Sequence, residues 1–122
     1  MNLEKVVFGF FIVLALTLNV AFVMGEIGNP EHHSIWLLFA AVVVNLIATV
    51  LKFGDRSQVG ALLLATALVA DLQLIASSLI WTFADSLTVA IMANIVSLAY
   101  GALAANVVSV TLLVSESLMS GR

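Results

Sequence analysis

Four long apolar segments take up most of this 122-residue chain, and they constrain its fold more than any other feature. They run over residues 6–24, 35–53, 59–84 and 87–114. A helix needs roughly 20 mostly apolar residues to cross the hydrocarbon core of a bilayer. Because lipid offers no hydrogen-bond partner to a bare backbone, segments of this kind are helical. We therefore predict an all-α integral membrane protein, with a single transmembrane domain over residues 1–122.

The composition excludes several other classes of protein. Hydrophobic residues make up 63% of the chain and charged residues 9%, whereas a soluble domain is about 25% charged. So few charged residues exclude a soluble enzyme, and a net charge of −3 without a basic patch excludes a nucleic-acid binder. Cysteine is absent, which excludes disulfides and thiolate metal sites. We expect no cofactor.

The connections between the four segments are short and carry residues typical of helix caps. Asn29-Pro30 fits an N-cap followed by proline at the first helical position, so the second helix is expected to begin at this proline. Gly54 fits the position just after that helix. Asp55–Gln58 resembles a capping box with the aspartate as N-cap, and Asp85-Ser86 is expected to cap the fourth helix. The pattern predicts an up-down-up-down bundle of tight hairpins.

The positions of the basic residues predict the orientation in the membrane. All of them fall on the same side of the predicted bundle: Lys5, Lys52, Arg56 and Arg122. Short loops rich in lysine and arginine stay in the cytoplasm, so we expect both termini to be cytoplasmic. Trp36 and Trp81 fall near the opposite boundary, where aromatic residues are enriched.

Asp71 lies near the middle of the third segment. An aspartate at the centre of a bilayer costs roughly 2.5–3.5 kcal/mol on insertion scales, so it requires a partner, a hydrated cavity or a proton. One interpretation is a cation site or a proton relay. The other is a neutral carboxylic acid that hydrogen-bonds an asparagine of a neighbouring helix. Asn45 lies at a similar depth in the second segment and is the predicted neighbour.

Other polar residues in the segments are weaker candidates. Gln73 and Asn94 are candidates for lining an ion pathway, the alternative being simple helix packing. Gln73 lies about 200° from Asp71 around a helix, which predicts that the third helix is central in its bundle or at a subunit interface. Small residues predict a helix-packing or oligomer surface on the fourth segment: Ser97, Gly101, Ala105 and Ser109. Asn19 and Asn106 fit interhelical hydrogen bonding.

Two connections carry clusters of charged or imidazole side chains. Residues 25–34 contain two glutamates with His32 and His33, a combination that suits zinc. Adjacent residues point about 100° apart on a helix, so we expect a solvated acidic loop and no metal site. The opposite connection is a candidate docking point for a cytoplasmic partner, the alternative being membrane anchors and helix caps: Lys52, Asp55, Arg56 and Gln58.

Three stretches carry a resemblance to a known family: Met1–Phe10, Val44–Gln58 and Leu68–Leu74. They resemble a family of small bacterial inner-membrane proteins of unknown function, and the resemblance covers the whole chain. The family is loosely associated with TrkA-type, NAD-binding regulators of potassium channels and transporters. The resemblance therefore implies a bacterial inner membrane and a role in cation transport, but it assigns no catalytic or binding residue.

Together these features predict a homo-oligomeric inner-membrane cation channel or channel subunit, with Asp71 as its site and potassium as the first ion to consider. The expected partners are the lipid bilayer, further copies of the chain and a monovalent cation. One alternative is a non-conducting anchor or regulatory subunit for a cytoplasmic protein. Another is a small proton-coupled exporter that uses Asp71. The sequence contains neither a potassium-filter motif nor a nucleophile–base pair that would indicate an enzyme.

Overall fold

The computed structural model describes residues 3–55 and 57–120, and this part of the chain is helical. Its long helices are α1 (Leu3–Val23), α2 (Ile35–Lys52), α3 (Gln58–Phe83) and α4 (Val89–Ser120), with a short 3-10 helix over Pro30–His32. Each of the four long helices is apolar and long enough to cross a membrane. The predicted all-helical fold with four such segments is therefore confirmed, although α4 continues to Ser120 instead of ending at residue 114.

The four helices form a ring in which α1 and α3 each pack against both α2 and α4. Helices α3 and α4 are antiparallel, since Ser77 hydrogen-bonds to Ile95 and Thr66 hydrogen-bonds to Ser109. Helix α3 therefore has a neighbour on each of two sides within the same chain. This arrangement accounts for the polar residues that the sequence places on opposite faces of α3.

The buried apolar core is divided into two clusters. One contains residues from all four long helices, among them Phe22, Leu38, Leu74 and Met92. The other contains Phe8, Ile12, Ala48 and Leu63. On three helices a fully buried asparagine lies, along the chain, between residues of the two clusters: Asn19 on α1, Asn45 on α2 and Asn106 on α4. On these three helices a buried polar side chain thus separates residues of the two apolar clusters.

The connection between α1 and α2 differs from the prediction. Asn29 does act as an N-cap, since its Oδ1 accepts the backbone N–H of Glu31 at 2.9 Å. It caps the short 3-10 helix, however, and α2 begins at Ile35 instead of Pro30. The physical reason is that His33 and Ser34 adopt extended backbone conformations, which interrupt the helix.

The caps of α3 and α4 also differ from the prediction. Gly54 follows α2 with a φ of 87°, as expected for a glycine that ends a helix. The N-cap of α3 is Ser57 and not Asp55, because the Ser57 Oγ accepts the N–H of Gly60 at 2.9 Å. Helix α4 begins at Val89, after the Thr88 hydroxyl that accepts the N–H of Ile91, so Asp85-Ser86 does not cap it.

Candidate functional site

Asp71 lies in the middle of α3 and faces the interior of the bundle, with 5% of its surface exposed. The hydroxyl of Thr49 on α2 donates to Asp71 Oδ2. Within the described residues, the hydrogen-bond partner of Asp71 is therefore Thr49 and not the predicted Asn45. Asn45 lies one turn away on α2 and donates its own amide to the Ala41 carbonyl at 2.9 Å. Thr49 shares a helical face with Asn45, and this spacing was the sequence signal that could have identified it.

The Thr49 hydroxyl has one hydrogen and two acceptors within reach. Besides Asp71 Oδ2, it lies 2.9 Å from the backbone carbonyl oxygen of Asn45. When Asp71 is ionised, Thr49 donates to the carboxylate. When Asp71 carries a proton, the carboxyl can donate to Thr49, and Thr49 can donate to the Asn45 carbonyl. The three residues thus support two hydrogen-bond arrangements that differ by one proton on Asp71.

Several buried polar side-chain atoms have no hydrogen-bond partner in the described part of the chain. They are Asp71 Oδ1, Asn45 Oδ1, Gln73 Oε1, and both amide atoms of Asn19 and Asn106. Native proteins leave few buried polar groups unpaired, because removing such a group from water without a replacement bond costs free energy. These five residues come from all four long helices, so buried polar groups are a property of the whole bundle.

Gln73, the second predicted pathway residue, packs against α4. A Cβ atom added to Gly101 would lie 2.7 Å from Gln73 Cδ, so the glycine makes room for this side chain. One turn along α3, the Ser77 hydroxyl donates to the Ile95 carbonyl of α4 at 2.9 Å. Asn94 is exposed on α4, away from the buried Asp71. The structure therefore brings Gln73 to α4 and Asp71 to α2, and it places Asn94 on the outer surface of the bundle.

The small residues predicted to form a packing surface on α4 divide between two environments. Ala105 and Ser109 are buried within the chain, and Ser109 hydrogen-bonds Thr66 of α3. Ser97 is exposed, and Gly101 is partly buried beneath Gln73. Ala105 and Ser109 thus pack within the chain, whereas Ser97 is exposed on the surface of the bundle.

The predicted docking connection makes several contacts within the chain. Lys52 Nζ lies 3.4 Å from Asp55 Oδ2 and 4.4 Å from the centroid of the Phe8 ring. Hydrogen bonds from the backbone and hydroxyl of Ser57 lower the pKa of Asp55, and nearby Lys52 lowers it further. Gln58 is exposed at the first position of α3, and Arg56 lies outside the described residues. An open cavity of about 880 Å³ lies beside this connection and the start of α1.

The two histidines of the opposite connection bind its backbone. His33 is buried, with Nδ1 2.6 Å from the Phe22 carbonyl oxygen and Nε2 2.8 Å from the Glu26 carbonyl oxygen. Both acceptors are carbonyl groups, so a ring nitrogen of His33 bonds to them by donating its hydrogen. His32 Nδ1 accepts the N–H of Glu26 at 2.7 Å. Through these contacts the histidines hold the loop against the end of α1.

These features define a class of protein: a small helical bundle with four potential membrane spans and a buried carboxyl between two of them. The sequence profile of DUF6394, a family of unknown function, matches residues 32–117, and the chain belongs to this family. The matched region includes Asn45, Thr49, Asp71 and Asn106. Comparisons with curated proteins and with solved structures give no match.

Proposed function

We propose that the chain is a membrane-spanning cation channel or channel subunit, with Asp71 as the cation site in the bundle interior. The observation that carries this proposal is the Asp71 carboxyl, which is buried, bonded to Thr49 through Oδ2 and, within the described chain, unpartnered at Oδ1. A carboxylate in apolar surroundings requires a compensating charge or a proton. A cation at Asp71 would supply that charge.

The proposed location is a bacterial inner membrane with both termini in the cytoplasm. Among the described basic residues, Lys5 and Lys52 line the same cavity at one end of the bundle, which supports a cytoplasmic position for that end. Trp36 is exposed at the first turn of α2, at the other end of that helix from Lys52.

Single cysteines test the orientation, since the natural chain has none. Ser34 and Gln58 are both exposed and lie at opposite ends of the bundle. A membrane-impermeant maleimide applied to intact spheroplasts is expected to label Ser34→Cys, and to label Gln58→Cys only after permeabilisation. The reverse pattern would show that the termini are outside.

The proposal includes assembly into a homo-oligomer. It is supported by the exposed Asn94 and Ser97 on α4, because polar side chains and small residues favour contact with another helix over contact with lipid. An open groove of about 370 Å³ between α3 and α4 continues this surface past Gly101 and Ala104. Oxidative crosslinking of a Ser97→Cys variant in membranes is the test, with Gln58→Cys as the control. Equal crosslinking of both variants would argue against this interface.

Potassium flux into liposomes that hold the purified protein tests conduction. Potassium is the first ion to measure because the resembled family is associated with potassium transport. We expect wild-type flux that Asp71→Asn abolishes or alters, while Asp85→Asn, which changes an exposed loop carboxyl, leaves it intact. Absence of both potassium and sodium flux from folded oligomers would overturn the proposal of a stand-alone channel.

A second function, proton-coupled export, is favoured by one observation. The Thr49 hydroxyl can donate to either the Asn45 carbonyl or the Asp71 carboxylate, so Asp71 can gain or lose a proton while it keeps a hydrogen bond to Thr49. A pH-sensitive dye in the same liposomes separates the two functions. Proton movement in the absence of a potassium gradient would favour the exporter. Potassium flux without proton movement would favour the channel.

A further inference from the structure

We propose that Asn19 and Asn106 complete the Asp71 site, and that together with Asn45 they bind one partly hydrated monovalent cation inside a single bundle. This inference rests on the proposed function, in which Asp71 binds a cation. It goes further in naming two additional ligands, the number of ions and their hydration.

The first argument is the environment of the side chains. Asn19, Asn45 and Asn106 are fully buried, and Asp71 is 5% exposed. Each has a buried side-chain oxygen without a hydrogen-bond partner among the described residues. Every long helix thus contributes at least one such oxygen, and α3 also contributes Gln73 Oε1, which lies against Gly101 of α4.

The second argument is the register of α3 and α4. The Thr66–Ser109 hydrogen bond joins these antiparallel helices at one level. Asp71 follows Thr66 by five residues and Asn106 precedes Ser109 by three, so both lie on the same side of that level. At 1.5 Å per residue, their backbones differ in height by about 3 Å counted from this bond and by about 7.5 Å counted from the Ser77–Ile95 bond.

The same comparison places the other two residues. A Cβ atom on Gly9 of α1 would lie 3.5 Å from Leu113 of α4. Counting along both helices from this contact puts Asn19 and Asn106 within about one helical turn of each other in height. Asn45 lies one turn from Thr49, which bonds directly to Asp71. Counted from these bonds, Asn45 lies about 6 Å from the level of Asp71 in the direction opposite to Asn106, so the four residues span about two helical turns in the interior of the bundle.

The chemistry of this set selects the ligand. Asp71 brings one negative charge and the three asparagines bring neutral oxygens, so a monovalent cation is fully compensated. A divalent cation would leave an uncompensated charge in an apolar core, at high cost. The Nδ2 groups of Asn19 and Asn106 are also buried and lack partners in the described chain, and they cannot bind a cation. Water that accompanies the ion would accept from these groups.

Thermal unfolding of the purified protein in detergent tests the inference without requiring flux. A ligand that binds only the folded state raises the melting temperature. We expect potassium or sodium chloride to raise it by several degrees relative to N-methylglucamine chloride at equal ionic strength. Magnesium chloride at the same ionic strength is expected to give a smaller rise. Equal melting temperatures in all four salts would overturn the inference.

Variants assign the effect to the proposed ligands. Asp71→Asn is expected to abolish the cation-dependent rise, and Asn19→Leu and Asn106→Leu are each expected to reduce it at least severalfold. Asn94→Leu is the matched control, because Asn94 is an exposed asparagine on the same helix as Asn106. A full rise in both Asn19→Leu and Asn106→Leu would overturn their role. Should these fail to fold, Asn19→Ser and Asn106→Ser replace them, and the wild-type salt series stands alone as a test.

Comparison with the liposome experiment separates this inference from the proposed function. A cation-dependent rise that requires Asn19 and Asn106, together with no flux, would retain the site and reject the channel. Flux that Asp71→Asn abolishes, together with no cation-dependent rise, would retain the channel and reject the site.

Discussion

The hydroxyl of Thr49 on α2 donates to Oδ2 of Asp71 on α3, and this hydrogen bond joins the two helices inside the bundle. Both residues are nearly inaccessible, at 4% and 5% exposed. A hydrogen bond between buried side chains contributes modestly when it is formed, but a buried carboxyl left without it carries a larger penalty. The stability of the fold should therefore depend on Thr49 more than its small size indicates.

Replacing Thr49 by valine keeps the shape of the side chain and removes the hydroxyl. We expect Thr49→Val to lower the free energy of unfolding by about 1–3 kcal/mol, because Asp71 loses its bond. Denaturant titration in detergent measures this change. Thr111→Val is the control, since Thr111 is exposed and donates to the Val107 carbonyl of its own helix. Equal effects of the two variants would show that the Thr49–Asp71 bond does not stabilise the bundle.

Ser77 and Ser78 provide a matched pair on α3. Ser77 donates across the helix interface to the Ile95 carbonyl at 2.9 Å, whereas Ser78 donates to the Leu74 carbonyl of its own helix. We expect Ser77→Ala to cost about 0.5–1.5 kcal/mol, in the range of interhelical hydrogen bonds. Ser78→Ala is expected to change stability by less than about 0.5 kcal/mol. The same titration compares them, and a larger cost for Ser78→Ala would contradict this assignment.

His33 and His32 differ in burial although they are adjacent. His33 is buried and bonds to two carbonyl groups, including that of Phe22 in the last turn of α1. We expect His33→Ala to accelerate amide hydrogen exchange across the loop and the end of α1. His32→Ala should affect chiefly the Glu26 amide, whose N–H it accepts. Equal acceleration of exchange in both variants would show that His33 is not the main residue that stabilises the loop.

The connection between α2 and α3 should weaken in acid. Its Asp55 has a pKa lowered by the hydrogen bonds from Ser57, so the folded state favours the carboxylate. This contribution is present above the ordinary aspartate pKa and is lost as the pH falls through the lowered value. We expect the protection of the Ser57 N–H, measured relative to its intrinsic exchange rate, to fall in that range for the wild type, whereas Asp55→Ala should show little protection at any pH. Asp85→Asn, in the other loop, should retain the wild-type pH profile.

The length and apolar character of the segments were enough to predict all four helices. A run of apolar residues that long has few alternatives to a helix, whatever its neighbours are. The glycine after α2 was also predictable, because Gly54 adopts a backbone conformation that other residues rarely do. The first residues of α2, α3 and α4 were not predictable in the same way. Several polar side chains near each helix start compete to cap it, and loop contacts such as those of His33 decide the outcome.

The sequence alone also identified Asp71 as the outstanding polar residue, because a carboxyl is costly in the middle of an apolar segment wherever it points. The tertiary structure decided that Thr49 is its partner, that Gln73 faces Gly101, and that Asn19 and Asn106 lie inside the bundle. These relationships depend on how the helices rotate and slide against one another. Rotation and sliding are determined by the packing of whole helix faces, and no single segment contains that information.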